Sequence, residues 1–216
     1  MKHFSLDEIS ALDKNFRRNL INSITGFKPL HLLATQNQQG HSNLALFSSA
    51  VHVGADPPLV GVLFRPLTVP RHSYINIHST GYFSLNHIPS AIIQQAHQCS
   101  APYPEELSEF DVTGLHEEKS MAFPIVYVKE SPVKMGLQWV EEYTVQANGT
   151  IFMVGKIVEL ILPEQVVGSD GFVDLEQLHL VTVSGLDGYH TTRKLTRLQY
   201  AKTDRSSHVI PWQHGA

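Results

Sequence analysis

The stretch from residue 30 to residue 88 constrains the fold most, because short apolar segments alternate there with turn signals and no long helix separates them. Such segments are typical of β-strands, and their close spacing favours antiparallel pairing over parallel strands joined by helices. The sequence therefore predicts a mainly β fold, an antiparallel barrel with a few peripheral helices. The predicted strands of this stretch cover residues 31–35, 42–47, 59–64 and 82–86.

A helix is predicted before this stretch. Ser5 and Glu8 have the spacing of a capping box, and apolar residues then recur at steps of three or four until Gly26. This periodicity indicates one amphipathic helix. The expected limits are 1–26 for the N-terminal helix, 1–216 for a single domain and 203–216 for a C-terminal tail.

After residue 88 the pattern predicts a short helix over 89–99 and then a loop over 101–113, which is rich in acidic residues and proline. Further along, Asn148-Gly149 is a strong turn signal between two segments of strand type. The sequence therefore predicts a long hairpin in this half of the chain. Its two strands are expected over 133–146 and 150–162.

Charge and composition exclude several classes of function. The formal net charge of −4 disfavours a nucleic-acid-binding surface. The single cysteine, Cys99, cannot form an internal disulfide, which favours a reducing compartment. The first residues lack the apolar core of a signal peptide, and no apolar run reaches the roughly 18 residues of a membrane span. We therefore expect a cytoplasmic protein that binds neither nucleic acid nor a membrane.

Familiar catalytic and phosphate-binding motifs are absent from the sequence. The 13 histidines include no HExxH pattern and no cluster with zinc spacing, so no metal site is expected. Neither GxGxxG nor GxxxxGK[ST] occurs, which excludes the usual glycine-rich phosphate loops. A GxSxG elbow is also missing, which argues against a hydrolase.

Several residues of the strand-rich stretch have the chemistry that FMN requires. A phosphate dianion is bound best by arginine, hydroxyls and free N–H groups at the start of a helix, and Pro70 is suited to a first helical turn. Small polar residues suit the ribityl chain, and an apolar slot suits the ring. Each match alone also fits an ordinary turn or a surface position. The candidates are Ser48, Ser49, Arg71, His72 and Ser73 for the phosphate, Ser42 and Asn43 for the ribityl chain, and Leu44, Ala45 and Phe47 for the ring.

Three segments in order carry a resemblance to a known family: SNLALFSSAVHVGADPPLV, RPLTVPRHSYINI and TGYFSLNHI. Together they resemble the flavin reductase-like, FMN-binding split-barrel family, and within it the flavoredoxin-type members. The resemblance implies a Greek-key split barrel of about six antiparallel strands. It also implies a homodimer with FMN near the subunit interface, and an oxidoreductase that takes electrons from NAD(P)H or another donor. A small-molecule electron acceptor or a partner monooxygenase would receive them.

The resemblance assigns roles to individual positions. Ser42, Asn43 and Ala45 would line the ribityl chain and the ring, while Ser48 and Ser49 would lie near the phosphate end. Asn86 would lie near the site at the end of its strand. The residues expected to hold the phosphate are Arg65, Arg71, His72 and Ser73.

One departure from the family pattern bears on the electron donor. Many NADH-using members carry an Asp-His pair before a strand that ends in glycine, and the matching positions here are Gly149 and Thr150. This departure favours an alternative function, an FMN-binding protein without NAD(P)H turnover of its own. A pyridoxamine-phosphate-oxidase-like barrel is a further alternative, but the Pro-Pro corner and the RHSY segment argue against it.

Overall fold

A computed structural model gives the structure of the protein and describes residues 1–212. In this part of the chain the α-helices are α1 (Leu6–Ala11), α2 (Lys14–Ile24), α3 (His72–Thr80), α4 (Ile93–Gln98) and α5 (Glu109–Thr113). The strands are β1 (Lys28–Pro29), β2 (His31–Gln36), β3 (Ser42–Phe47), β4 (Val51–Ala55), β5 (Pro58–Phe64), β6 (Tyr82–His87), β7 (Glu117–Glu118), β8 (Tyr127–Val128), β9 (Lys134–Thr144), β10 (Ile151–Ile161), β11 (Val181–Ser184) and β12 (Gly188–Thr191). Short 3-10 helices cover Ser90–Ile92, Glu164–Val166 and Leu175–Leu178.

Seven strands form one antiparallel sheet in the order β3-β2-β6-β9-β10-β5-β4. Its two edge strands, β3 and β4, follow each other in sequence and are separated only by residues 48–50. A link of three residues cannot cross a flat sheet of seven strands, so the sheet must curl until its edges meet. The result is a barrel with a seam between β3 and β4, which confirms the predicted fold class.

Two apolar clusters lie on opposite faces of this sheet. The inner cluster joins residues from β2, β5, β6, β9 and β10, with Ile77 of α3 covering one end. The outer cluster packs β2 and β3 against α4, α5 and β11, so the barrel is thickened on the side of the small β1-β11-β12 sheet. Fully buried members are Leu33, Val62 and Phe83 in the inner cluster and Leu32, Leu44 and Ile88 in the outer one.

Several predicted elements are confirmed. The capping box of Ser5 and Glu8 is present, and α1 begins directly after it. The Asn148-Gly149 turn joins β9 and β10, with Gly149 in the left-handed region at φ +73°. Gly81 ends α3 in the same conformation. These features depend on residues close together in sequence, which is why the pattern predicts them well.

Other expectations were wrong. The N-terminal helix is divided, because Asp13 begins a second helix by accepting hydrogen bonds from the N–H groups of Asn15 and Phe16 at 2.9 and 3.1 Å. The expected loop over 101–113 contains α5. The strand β4 was not predicted, and its pairing with β5 brings the sheet to seven strands, which agrees with the about six strands that the family resemblance implied.

Two kinds of feature are absent from residues 1–212. No helix in that range is long and apolar enough to cross a membrane. Within the same range, no three or more histidine, cysteine, aspartate and glutamate side chains are grouped so that they could hold a metal ion.

Candidate functional site

The first turn of α3 presents several hydrogen-bond donors to one point beside β3. Arg71 precedes the helix with φ −124°, and no side chain caps the N–H groups of the first turn. The Asn43 amide of β3 donates a hydrogen bond of 2.9 Å to the Ser73 hydroxyl. This bond fixes the start of α3 against the edge strand, so the helix N-terminus points at a defined place on β3.

Two buried nitrogen atoms in this region have no hydrogen-bond partner, Nε of Arg71 and Nε2 of His41. A buried donor without a partner is costly, and such atoms are rare in folded proteins. His41 lines a shallow cleft together with Ser42, Asn43 and His72. The Arg71 guanidinium near this cleft, together with the imidazole, hydroxyl, amide and free helical N–H groups, makes a set of donors of the kind that binds a phosphate group, although the Glu105 carboxylate also lines the cleft.

Glu109 is a buried carboxylate at this site that the sequence did not single out. Its Oε2 accepts a 2.7 Å hydrogen bond from the backbone N–H of Leu44, on the open edge of β3. Burial raises the pKa of Glu109, and the hydrogen bond from Leu44 and the nearby His72 and His41 oppose that rise. The residue lay within the expected loop, and nothing in the sequence distinguished it from the other acidic residues of that segment.

The far end of β3 holds a second group of predicted residues. The Ser49 hydroxyl forms two hydrogen bonds at the seam. It donates to the Leu63 carbonyl at 3.0 Å and accepts from the Leu63 N–H at 3.1 Å. Ser48 and Arg65 line a cavity of about 320 Å³. Five residue steps of extended chain separate Asn43 from Ser48, and at about 3.3 Å each they amount to roughly 17 Å.

This distance changes the expected roles. Ser48, Ser49 and Arg65 were expected to surround the same phosphate as Ser73, and a single phosphate group cannot reach both ends of β3. The geometry instead makes two clusters, one at the start of α3 and one at the seam. Membership of these residues in one elongated cofactor site stays a prediction.

Three other predicted residues occupy different environments. Ser42 is buried on β3 and accepts a hydrogen bond of 3.0 Å from the Gln36 amide. Ala45 is half-buried on β3, opposite Leu33 of β2. Asn86 is fully buried. Its side-chain amide donates hydrogen bonds to the Leu32 carbonyl and the Ser84 hydroxyl, and its amide oxygen accepts one from the Val128 N–H. Asn86 therefore supports the strands around it and is not brought to either cluster.

The comparisons with known proteins decide the family. The model of the flavin reductase like domain matches residues 27–176, which is more than two thirds of the chain. A structure from Shewanella frigidimarina NCIMB 400, assigned to the flavin reductases with a split barrel domain, is 44% identical and superposes with a TM-score of 0.90. That match covers 93% of this chain and 100% of the other. This chain belongs to the flavin reductase-like family.

More distant solved structures share the fold of this flavin reductase-like chain. Nitrilotriacetate monooxygenase component B from Bacillus cereus is 18% identical, with a TM-score of 0.78 and coverage of 92% of this chain and 98% of that chain. The flavoredoxin of Desulfovibrio vulgaris (Miyazaki F) is 20% identical, with a TM-score of 0.68 and coverage of 82% and 91%. At these identities the likeness shows the split-barrel fold alone. Family membership supports a flavin-related oxidoreductase function.

The two residues that replace the Asp-His pair of many family members lie near the seam. Gly149 belongs to the turn between β9 and β10, and a Cβ added to it would lie 3.6 Å from the Pro66 side chain. Ile151 is paired with Phe64, so Thr150 is opposite the position of Arg65. The departure from the family pattern is therefore beside Arg65, which lines the cavity at the end of β3.

Two histidines, the buried His31 and the half-buried His87, are in contact in the flavin reductase-like barrel at the paired ends of β2 and β6. The Nε2 atoms of His31 and His87 are 3.3 Å apart, and Nδ1 of His31 is buried without a partner. Burial lowers the pKa of His87 to about 4 and that of His31 well below its usual value, with the neighbouring His87 adding to the effect on His31. Sequence reasoning had no signal for this contact, because 56 positions separate the two residues.

Proposed function

We propose that this chain is an FMN-dependent oxidoreductase in which the cofactor extends along β3. The observation that carries the proposal is the donor set at the start of α3, where Asn43 and Ser73 are joined and the buried Nε of Arg71 has no partner. In this proposal the phosphate binds to the first turn of α3 through Arg71, His72 and Ser73. Ser42 and Asn43 then contact the ribityl chain.

The length of β3 supports the same arrangement. FMN is elongated, with a phosphate at one end and a three-ring system at the other. The roughly 17 Å between Asn43 and Ser48 allows one such molecule to contact both clusters, although one phosphate cannot. The ring would then lie beside Ala45 and reach the seam at Ser48 and Ser49, where Arg65 provides a positive charge.

The bound flavin would supply the redox chemistry, accepting a hydride from a donor and passing electrons on. The chain's own residues bind and orient the cofactor, and the barrel seam excludes water from one side of it. We propose NAD(P)H as the donor, with a small-molecule acceptor or a partner monooxygenase receiving the electrons. The alternative, an FMN-binding protein without turnover of its own, is favoured by Gly149 and Thr150 in place of the Asp-His pair.

The visible spectrum of the purified protein tests the proposal and separates it from the alternative. We expect a yellow protein, or one that becomes yellow with added FMN, and we expect anaerobic NADH or NADPH to bleach it. Dithionite serves as the control, because it reduces a bound flavin without using a donor site. Bleaching by dithionite alone would support the binding protein, and a chain that rejects FMN would contradict both functions.

We also propose a homodimer, because an apolar patch covers the outer face of β4, β5 and β10. Val51, Val53 and Leu63 are 47%, 43% and 40% exposed and lie on one face with Phe152. A contiguous apolar patch beside an open sheet edge is typical of a surface covered by another protein chain. A second copy is the occupant we propose, since a two-fold interface is self-complementary.

We expect light scattering to give the mass of a dimer at micromolar concentration. Leu63→Lys should shift the protein toward the monomer, because it would place two charges at the two-fold interface. Val112→Lys is the matched control, since Val112 is also 40% exposed but lies on α5, away from the patch. A monomer in the unmodified protein, or equal masses in both variants, would contradict this interface.

A further inference from the structure

Residues 197–210 form a small hairpin near the end of the described chain. It lies beyond the match to the flavin reductase like domain, which ends at residue 176. Leu198 is paired with Val209, and the Gln199 N–H donates a hydrogen bond of 2.9 Å to the His208 carbonyl. A hairpin of two strands is marginally stable in water unless another surface covers it. This hairpin is therefore suited to a contact with another surface.

The base of the hairpin is held by its own chain. The Arg197 guanidinium donates a hydrogen bond of 2.7 Å to the Asp170 carboxylate and lies 3.8 Å from the centre of the Phe172 ring. Just before it, the Lys194 ammonium donates a hydrogen bond of 2.7 Å to the Asp174 carboxylate. These contacts fix the point at which the hairpin leaves the rest of the protein.

One face of the hairpin is apolar and uncovered. Paired residues of two antiparallel strands lie on the same face, and so do residues two positions apart on one strand. Leu198, Val209 and Tyr200 therefore share a face, and they are 56%, 64% and 91% exposed. Large apolar side chains grouped in this way are typical of a surface that another protein chain covers.

The hairpin region is basic, whereas the rest of the chain is acidic. Residues 193–210 contain five lysines and arginines and one aspartate, which gives a formal charge of +4. The remaining residues have 11 basic and 19 acidic side chains, a formal charge of −8. Lys202 and Arg205, at the tip of the hairpin, form no salt bridge within the described residues. A basic hairpin with an apolar face is complementary to an acidic surface with exposed apolar side chains.

The loop before α5 provides such a surface. Residues 100–118 contain six carboxylates and neither lysine nor arginine. Glu105 and Glu106 are exposed and form no salt bridge in the described part of the chain, and Leu107 beside them is 48% exposed. We call residues 103–107 the acidic loop. Since one chain carries both complementary surfaces and no salt bridge joins them in the described structure, the charges favour a second copy as the occupant.

We propose that the hairpin of one subunit docks on the acidic loop of a second copy. Lys202 and Arg205 pair with the carboxylates of that loop, and Tyr200 packs against the partner's Leu107. Because Glu105 also lines the cleft at the start of α3, the second copy adds positive charge at the rim of that cleft. The inference rests on the proposed homodimer, and it adds a contact separate from the apolar patch on β4, β5 and β10.

Disulfide cross-linking between two differently tagged, co-expressed copies tests this contact, since the chain's own Cys99 is buried. We expect a copy with Lys202→Cys and a copy with Glu106→Cys to become linked under mild oxidation, because a docked hairpin holds the two sulfurs within reach. Glu164→Cys is the matched control, since Glu164 is an exposed glutamate outside the acidic loop. Its link to Lys202→Cys should form about tenfold more slowly or not at all.

Charge reversal provides a second measurement. Lys202→Glu combined with Arg205→Glu should raise the dissociation constant of the dimer about tenfold at low salt, because two attractive pairs become repulsive. Adding Glu105→Lys and Glu106→Lys to the same chain should restore part of the affinity, since the pairs are then attractive again. A merely structural role of the hairpin would show no such restoration.

Three outcomes would overturn the inference. Equal cross-linking of Lys202→Cys with Glu106→Cys and with Glu164→Cys would show that the hairpin does not dock on the loop. If one chain carrying both Lys202→Cys and Glu106→Cys links only within itself, the contact lies inside a single subunit. If hairpin charge reversal leaves the dimer unchanged but releases the protein from vesicles of anionic phospholipid, the occupant is a membrane surface. A dimer by light scattering without a selective cross-link would leave the proposed homodimer intact, whereas a monomer would contradict both.

Discussion

Arg71→Ala should weaken FMN binding about a hundredfold and leave riboflavin binding almost unchanged. In our proposal Arg71 forms charge-assisted hydrogen bonds to the phosphate, and its removal leaves part of a buried dianion unpaired. Such a loss costs about 3 kcal/mol, which corresponds to about two factors of ten in affinity. Fluorescence quenching during titration measures both ligands, and riboflavin is informative because it lacks only the phosphate.

Arg65→Ala is the matched control for the phosphate prediction. Arg65 lines the cavity at the opposite end of β3, so its removal should leave the ratio of FMN to riboflavin affinity unchanged. Equal weakening of both ligands in Arg71→Ala would show that Arg71 acts through the structure of the site. If Arg65→Ala were the variant that removes the preference for FMN, the cofactor would lie in the opposite direction along β3.

Acid should destabilise the protein through the contact between the buried His31 and the half-buried His87. The pKa of His87 is about 4 in the folded protein and near 6.5 in an unfolded chain, so between these pH values the unfolded state binds a proton that the folded state does not. This contribution to stability is complete above pH 6.5 and is lost as the pH falls toward 4. At about 1.4 kcal/mol for each pKa unit, His87 alone accounts for roughly 3 kcal/mol, and His31 acts in the same direction.

Urea unfolding at several pH values between 7 and 4 measures this loss as the free energy of unfolding. In a variant with both His31→Leu and His87→Leu, neither the folded nor the unfolded state takes up these protons. Its free energy of unfolding should therefore fall by about 3 kcal/mol less over this pH range than that of the unmodified protein. His52→Leu is the control for replacing a histidine by leucine, since His52 is exposed on β4. Identical pH profiles in the double variant and the unmodified protein would contradict the prediction.

The sequence predicts the parts of this fold that depend on neighbours along the chain. Alternating apolar segments locate β2, β3, β5 and β6, and Asn148-Gly149 locates the long hairpin. Misses occurred where a short-range signal was ambiguous. In the sequence, Asp13 looks like any polar residue of a helical pattern, but in the structure it caps α2. The acidic residues of α5 led to the prediction of a loop where the structure has a helix. The strand β4 was not predicted, because Gly54 and the following prolines indicate a turn.

The candidate site was predicted less completely, because its walls come from distant segments. The residues near the start of α3 could be predicted from the sequence, because Arg71, His72 and Ser73 are consecutive and suit a helix N-terminus. The cavity combines Arg65 with His97 and Asp187, and no periodicity connects these positions. The split of the predicted phosphate residues into two clusters likewise follows only from the extension of β3.

The three-residue link between β3 and β4 has a consequence for the order in which the chain assembles. The β9–β10 hairpin closes a short loop, whereas β5 joins β10 through partners such as Leu63 and Phe152 that lie far apart in sequence. The link holds β3 and β4 together at every stage, so the barrel closes only when the distant strands β5 and β10 pair. Closing long loops costs more entropy, so we expect this pairing to form late. A ligand bound along β3 and the seam would then recognise only chains that have completed folding, and it would stabilise them in proportion to its concentration.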